Sequence, residues 1–274
     1  MVETPYYAAL RDSVEAAYAA APERVSAGLE VCDCPVCITE EVRQEMIATP
    51  CRELKGWLIA EYSNSAHGVP SKLDDLAALL PRYLDLMAEG AETDSLGIGV
   101  ELTRFGGAVA VSEGAFPPLK LRAAYHAWAE LMVLHGGWLR AMSGPREGVG
   151  EDRLSPFYLF QAIAAGGVPT EGVTGAADSL FADPEVGRVA KMQFFAALGH
   201  AWNGRRFDLY AVKYIMEDRR AAVADWLQRG LSSWELEEML ADPGVTGPPF
   251  WAERVQAAIT NREALTPEAL ADER

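Results

Sequence analysis

The chain has 274 residues, half of them hydrophobic, and its 40 acidic and 24 basic residues give a net charge of −16. This excess of acidic residues disfavours a general nucleic-acid-binding surface and docking on anionic lipid, because both depend on clustered Lys and Arg. The length allows one large domain or two of moderate size.

The N-terminal segment is predicted to be the first helix and not a targeting sequence. The stretch YYAALRDSVEAAYAAA is rich in Ala, the strongest helix former. No basic segment followed by an apolar run precedes it, and nowhere does the chain approach the ~18 consecutive apolar residues of a membrane span. We therefore expect a cytoplasmic protein whose thiols stay reduced.

All four cysteines follow this helix, in the stretch LEVCDCPVCITEEVRQEMIATPC. Cys34 and Cys37 are separated by two residues, a spacing that lets a turn place both thiols on one metal ion, and a tetrahedral Zn²⁺ site needs four ligands. Cys32 and Cys51 are the candidates that would complete the set, and His67 is a substitute fourth ligand. The sequence therefore predicts a structural zinc site made of these four cysteines, whose binding energy would become folding energy.

Two other interpretations of the cysteines stay open. Reduced, partly buried cysteines that bind nothing would behave as small hydrophobic side chains. A redox site would need a thiol whose pKa is lowered by the N-terminal end of a helix, and Cys37 lies two residues before Thr39, the predicted cap of the next helix. The βαβ pattern that accompanies a thioredoxin-like C-x-x-C motif does not occur in the sequence.

Helical spacing continues through the rest of the first half. Glu40 and Glu41 suit the first turn of the helix capped by Thr39, because the helix dipole favours acidic side chains there. Further helices are predicted in CRELKGWLIAEYS, in KLDDLAALLPRYLDLMAEG and in PPLKLRAAYHAWAELMVLHGGWLRAM, the last of which should kink or end at Gly136–Gly137. Before that last helix, GAVAV is compatible with a short strand.

The second half is also predicted to be helical. SPFYLFQAIAAGG precedes a Gly- and Thr-rich stretch that is predicted to be a loop, and the next helix should begin near Asp183–Pro184. EVGRVAKMQFFAALGHAW and RRFDLYAVKYIMEDRRAAVADWLQRG have the pattern of an antiparallel helix pair joined at Asn203–Gly204. Ser232 and Glu235 form a predicted capping box for SWELEEMLAD, and the prolines of PPFWAERVQAAIT suit the start of another helix.

These patterns predict an all-α fold, an irregular helical bundle that could consist of two helical halves. Alternating β-branched runs bounded by turns barely occur. The segment 143–153, which is rich in Gly, Pro and charged residues, is the predicted boundary between two helical regions. The N-terminal region, 1–142, holds the cysteine cluster, and the C-terminal region is 154–274. The two regions could also form one continuous domain.

Three segments of the first half carry a resemblance to other proteins. CDCPVC, TPCRELKGWLIAEY and LLPRYLDLMAEG resemble an uncharacterised family of bacterial helical proteins, which combine an N-terminal C-x-x-C-like cluster with T-P-x-R-E-L and L-P-R-x-L-E-L segments. The resemblance covers roughly residues 28–90 and implies a helical, cytoplasmic protein. The family usually has an apolar residue at the position of Cys51, which implies a shared cluster without that cysteine. The matching positions are Cys34, Cys37, Thr49, Pro50, Arg52, Glu53, Leu54, Leu80, Pro81, Arg82, Leu84, Asp85 and Leu86.

Three functional hypotheses follow. Neither a G-x-S-x-G elbow nor a G-x-x-x-x-G-K-[ST] loop occurs, so no catalytic or cofactor-binding residue is predicted. The leading hypothesis is a non-enzymatic helical interaction or scaffold protein with a structural zinc site and a protein partner. One alternative is a thiol-dependent redox protein or enzyme that uses the Cys32–Cys51 cluster. Another is an apolar-ligand binder built from aromatic residues of the C-terminal helices, although core packing is the commoner role of such residues. These aromatic residues are Phe194, Phe195, Trp202, Phe207, Tyr210, Tyr214 and Trp226.

Overall fold

The computed structural model describes residues 4–32, 34, 37–65, 72–91, 93, 101–113, 115–143, 154–207, 209, 215, 217–242 and 249–271. Within these ranges the chain forms twelve α-helices, three single-turn 3₁₀-helices and an isolated β-bridge between Trp202 and Phe207, but no strand. The predicted all-α fold is confirmed. None of the described helices has the length and apolar character needed to cross a membrane.

The longest described helix, with 24 residues, is α6. The α-helices are α1 (Tyr7–Ala20), α2 (Glu40–Ala48), α3 (Gly56–Ser65), α4 (Leu73–Ala88), α5 (Thr103–Val111), α6 (Leu119–Met142), α7 (Pro156–Ala165), α8 (Thr170–Phe181), α9 (Gly187–His200), α10 (Glu217–Leu231), α11 (Trp234–Ala241) and α12 (Pro249–Thr260). The 3₁₀-helices are Cys51–Glu53, Arg262–Ala264 and Ala269–Ala271.

Helix α6 lies at the centre of the fold. It contacts α1 and α4 from the N-terminal region and α7, α8 and α9 from the C-terminal region. Most of its buried apolar side chains, among them Trp128 and Met132, belong to a hydrophobic cluster with members from Leu10 to Leu270. Helices of both predicted regions therefore share one core along α6. The boundary predicted at 143–153 lies almost entirely outside the described residues and stays a prediction.

Gly136 and Gly137 do not end α6, which continues to Met142. A Cβ atom on Gly136 would lie 2.3 Å from the side chain of Leu159 in α7, and one on Gly137 would lie 2.2 Å from that of Leu180 in α8. The two glycines allow neighbouring helices to approach closely because they lack a Cβ. The predicted helix end at this pair is wrong, since packing against α7 and α8 compensates for the weak helix propensity of glycine.

The Gly- and Thr-rich stretch that was predicted to be a loop forms helix α8. Val173, Ala176, Ala177 and Leu180 are buried, and they follow the i, i+3, i+4, i+7 spacing of one helix face. Each glycine in a helix costs about 1 kcal/mol relative to Ala, and burial of this face outweighs that cost. The loop prediction is therefore wrong.

Two other boundaries differ from the sequence predictions. GAVAV is not a strand but lies in α5, where Phe105 and Ala108 are buried one helical turn apart. The helix predicted to begin at Arg205 is not formed at the described residues 205–207, 209 and 215, and the described part of it is α10, from Glu217. The side-chain oxygen of Asn203 accepts hydrogen bonds from the backbone N–H groups of the two residues at 205 and 206, at 3.1 and 3.0 Å. Such a side-chain turn competes with helix formation at these residues.

The helix caps show one correct and one wrong prediction. Thr39 caps α2, because its side-chain oxygen accepts a hydrogen bond from the backbone N–H of Val42 at 3.4 Å. Helix α11 is capped by Ser233 and not by Ser232, since Ser233 Oγ accepts a hydrogen bond from the backbone N–H of Leu236 at 3.3 Å. Two adjacent serines present the same capping chemistry, and the sequence does not distinguish them.

Two of the three segments that carry the resemblance contact each other, and one of them is bonded to α1. Arg82 donates from Nε to the carbonyl of Leu54 at 2.7 Å and from Nη1 to the carboxylate of Asp85 at 2.8 Å. Asp85 also accepts hydrogen bonds from Arg11 at 2.5 Å and from Tyr18 at 3.2 Å, both in α1. The Arg and the acidic residue of the L-P-R-x-L-E-L segment therefore have a structural role, which is to fasten α4 to α1.

Candidate metal centre

The loop that carries the cysteine cluster, residues 21–39, is fastened to α4 and to the residue before it. Ser26 donates from its backbone N and from Oγ to the carboxylate of Asp75, at 2.5 and 3.1 Å, and Asp75 is buried. Lys72 donates from Nζ to the carbonyl of Gly28 at 2.6 Å. These bonds fix the path of the loop before it reaches the cysteines.

The C-terminal end of α3 holds the cysteine-bearing part of the loop. The backbone N–H of Cys32 donates to the carbonyl of Ser65, the last residue of α3, at 2.6 Å. The backbone N–H of Ile38 donates to Ser65 Oγ at 3.0 Å. Between these two anchors, the N–H of Cys37 donates to the carbonyl of Cys34 at 3.2 Å and closes a tight turn. The turn brings the side chains of Cys34 and Cys37 together, as the C-x-x-C spacing predicts.

Cys32, Cys34 and Cys37 form a compact group of thiols. Their three Sγ atoms lie within 4.8 Å of one another, and those of Cys34 and Cys37 are 3.2 Å apart. A tetrahedral ion with Zn–S bonds of ~2.3 Å would hold its sulfur ligands ~3.8 Å apart, so shifts of about 1 Å or less would suffice. All three side chains are partly exposed and none forms a disulfide, which leaves an ion a path to the thiols.

The electrostatics of this group disfavour a redox-active thiolate. Hydrogen bonds with Cys34 and Cys32 raise the pKa of Cys37 to about 12. A redox nucleophile needs the opposite, a thiol whose pKa is lowered. The raised pKa therefore argues against thiol redox chemistry, and the convergence of the three Sγ atoms is the observation that suggests a metal ion.

Cys51 lies outside this group of thiols. It begins a 3₁₀-helix, and its backbone N–H donates to the carbonyl of Glu23 at 2.8 Å. Its side chain is 1% exposed, and burial raises the pKa of its thiol to about 11. Its Sγ atom is not one of the three that converge within 4.8 Å, so Cys51 does not belong to the group of thiols that could share an ion. The substitute ligand His67 lies outside the described residues.

The predicted set of aromatic residues mostly forms core. Phe194, Phe195, Phe207 and Trp226 are buried, and Trp202 is half-buried. The two tyrosines of the set lie outside the described residues. The ring of Phe194 meets those of Phe195 and Trp226 edge to face, with centroids 5.2 and 5.5 Å apart, which is a favourable geometry for aromatic packing.

Part of this aromatic core is open to a cleft between α8, α9, α10 and α11. The cleft has a volume of about 380 Å³, and its aromatic wall consists of Phe181, Phe195 and Trp226. We call it the aromatic cleft. It also contains charged side chains, which are Asp178, Lys191, Arg229 and Glu235.

Lys191 gives the aromatic cleft a polar group that the sequence analysis did not identify. It is only 8% exposed, and its Nζ donates to the carboxylate of Glu235 at 2.6 Å and to Ser233 Oγ at 3.4 Å. A Lys within the apolar run AKMQFFAAL was the available signal, because a fully buried Lys is rare unless it has a partner.

Comparisons of the chain with protein-family models, with curated proteins and with solved structures found no match. The resemblance to a bacterial helical family therefore stays a prediction from short motifs. Function has to be argued from the geometry of the described residues.

Proposed function

We propose that the protein is a non-enzymatic helical interaction protein whose N-terminal loop is fixed by a structural Zn²⁺. Cys32, Cys34 and Cys37 are the proposed ligands. The observation that carries the proposal is the convergence of their three thiols within 4.8 Å on a loop anchored at both sides by Ser65. Soft thiolate ligands in tetrahedral arrangement are typical of zinc.

The proposed ion would act on the fold and not on a substrate. Among its described residues, the loop buries few side chains near the cysteines, so three metal–sulfur bonds would supplement that hydrophobic packing. A fourth ligand would come from water or from another side chain. Of the sequence's two candidates for that position, Cys51 lies outside the group of thiols and His67 lies outside the described residues.

Exposed tryptophan side chains support the interaction part of the proposal. Trp57 in α3 is 48% exposed and Trp234 at the start of α11 is 70% exposed. Tryptophan is enriched among the residues that dominate the energy of protein interfaces. Trp57 also belongs to the helix whose last residue, Ser65, anchors the cysteine loop, so the proposed ion and this exposed side chain are connected through α3.

Elemental analysis of the purified protein tests the zinc site. We expect about one zinc ion per chain in the wild-type protein and a large loss in the Cys34→Ser, Cys37→Ser double variant, because two of three ligands are removed. Chelation should lower the Tm of the wild-type protein but not that of the double variant.

Cys51→Ala is the matched control, since it removes a cysteine from outside the group. It should keep its zinc and its sensitivity to chelators. Equal zinc in the wild-type protein and the double variant would contradict the proposal. So would a loss of zinc in Cys51→Ala with the other three cysteines intact.

A second candidate function is the binding of a small apolar ligand in the aromatic cleft. The observation that favours it is the volume of about 380 Å³, which lies within the range of ligand sites, beside the buried rings of Phe195 and Trp226. The ion pair of Lys191 with Glu235 lies in the same cleft and offers polar contacts that would orient a ligand. This cleft does not involve the cysteines.

Binding of the dye Nile red tests the aromatic cleft. Ala182 is an exposed residue of the cleft wall, so Ala182→Trp should fill the cleft and reduce dye binding at least tenfold without disturbing the core. Ala127→Trp adds the same side chain at an exposed position of α6 away from the cleft and should bind the dye like the wild-type protein. Equal dye binding by the two variants would exclude this cleft as the ligand site.

A further inference from the structure

A separate cavity carries positive charge, although the chain has a net charge of −16. It has a volume of about 150 Å³ and lies between α5, α6, α10 and the turn before α8. Arg122, His126 and Arg219 line it, and no carboxylate occurs among the described residues of its wall. We propose that this arginine cleft, defined by these three residues, binds the phosphate group of a small molecule or the free phosphate ion.

Arg219 is held on the wall of the cleft by backbone oxygens. Its Nη1 donates to the carbonyls of Gly167 and Val168, both at 2.9 Å. Among the residues that the structure describes, its Nε and Nη2 have no hydrogen-bond partner. The guanidinium is therefore fixed in position while two of its donors are left for a ligand. Paired guanidinium N–H groups match the oxygen atoms of a phosphate.

Arg122 and His126 reach the same cleft from successive turns of α6. Arg122 donates from Nε and Nη2 to the carbonyl of Pro117, at 3.2 and 2.9 Å, which fixes its guanidinium. Burial lowers the pKa of His126, and the charges of Arg122 and Arg219 lower it further. Both guanidinium groups line the same cleft as the imidazole, which as a neutral ring still offers one N–H donor. A bound anion would be attracted by the two arginines and could accept a hydrogen bond from the imidazole.

The N-terminal ends of three helices border the arginine cleft. Arg122 is the fourth residue of α6, Arg219 is the third residue of α10, and Pro169, another residue of the wall, immediately precedes α8. The positive ends of the helix dipoles and the N–H groups of the first turns favour an anion there. The acidic residues in the first turns of α8 and α10 are exposed and do not line the cleft.

The size of the cleft limits the ligand to a small one. A site of about 150 Å³ has room for several water molecules, each of which needs about 10–15 Å³, and so admits a tetrahedral phosphate group. Apolar side chains complete the wall, among them Phe116 and Val109. A compact phosphate monoester fits this combination of a charged end and an apolar wall.

Isothermal titration calorimetry of the full chain with inorganic phosphate, at constant ionic strength, tests the proposal. We expect saturable binding to the wild-type protein and at least tenfold weaker binding to Arg219→Gln and to Arg122→Gln, because each variant loses a charged donor. The glutamine amide can still donate a hydrogen bond to the backbone oxygen that the arginine contacted. His126→Gln changes a partly exposed side chain, should fold normally and should also weaken binding. Circular dichroism checks that each variant is folded.

Arg220→Gln is the matched control for the arginines. Arg220 also donates from Nε to a backbone oxygen, that of Ile215 at 3.0 Å, but it does not line the cleft, so its variant should bind phosphate like the wild-type protein. Absence of saturable binding to the wild-type protein would overturn the proposal. So would equal binding by Arg219→Gln, His126→Gln and Arg220→Gln.

Three further titrations identify the ligand class and separate this site from the zinc proposal. Phenyl phosphate should bind with the same dependence on Arg219, which would support a small phosphate ester as the ligand. Acetate should bind at least tenfold more weakly, and equal binding of acetate would overturn the preference for phosphate. The Cys34→Ser, Cys37→Ser variant should bind phosphate like the wild-type protein, because the cysteines belong to other elements.

Discussion

At the scale of single residues, Asp85 joins α4 to α1. Its carboxylate is 10% exposed and accepts hydrogen bonds from Arg11, Arg82 and Tyr18. Burial and the negative charge of Asp85 raise the pKa of Tyr18, so the phenol stays protonated and keeps donating. Two guanidinium groups offset the cost of burying the carboxylate. Loss of the negative charge would leave both cations at this helix contact without their counter-ion.

Asp85→Asn should therefore destabilise the protein by about 2 kcal/mol, because it removes the negative partner of a partly buried ion pair and leaves the two arginines in place. Urea unfolding followed by circular dichroism measures the change. The matched control is Glu15→Gln, since Glu15 pairs with Arg52 at 2.6 Å with both side chains more than half exposed. Exposed pairs of this kind contribute at most about 1 kcal/mol. An effect of Asp85→Asn no larger than that of Glu15→Gln would show that this contact does not fasten α4 to α1.

The cysteines show how far local spacing determines a site. Cys34 and Cys37 were predictable as neighbours, because two intervening residues close a turn whatever the rest of the fold does. Cys32 joins them because its backbone is bonded to Ser65, a residue 33 positions along the chain. The place of Cys51 depends on its bond to the loop at Glu23. Such long-range backbone contacts leave no pattern in the sequence near the cysteines.

At the scale of helices, periodicity and capping chemistry were the dependable signals. Thr39 with the two glutamates after it marked the start of α2, because an N-cap hydroxyl and first-turn acidic residues act within one turn of the helix. The predictions that failed relied on glycine as a helix breaker. In α8, the stripe from Val173 to Leu180 outweighed the glycines, and in α6 the pair Gly136–Gly137 serves helix contacts.

The clefts depend on contacts between helices, which a single sequence does not display. Arg219 reaches the carbonyl of Gly167 across 52 residues, and Lys191 reaches Glu235 across 44. Neither pair has the i, i+3 or i, i+4 spacing by which a sequence indicates that two side chains meet. The net charge of −16 argues against an anion site, but this charge is a sum over the whole chain and does not describe any one cleft. A few cations gathered in one cleft can reverse that sign locally.

At the scale of the whole molecule, the core around α6 and the cysteine loop are stabilised in different ways. The core buries apolar side chains from most of the described helices, including Trp128 and Leu10. The loop of residues 21–39 is held by hydrogen bonds to α3 and α4 and to the residue before α4, and by our proposal it is completed by an ion. Removal of the ion should therefore loosen the loop and leave the core of the protein folded.

Zinc K-edge X-ray absorption spectroscopy of the purified protein tests most directly whether three thiolates hold a zinc ion. The proposed site predicts three sulfur ligands at ~2.3 Å, with the remaining coordination from oxygen or nitrogen. Four sulfur ligands would bring Cys51 into the site, and zinc without sulfur ligands would remove the cysteines from it. Either spectrum would contradict a metal centre made of Cys32, Cys34 and Cys37.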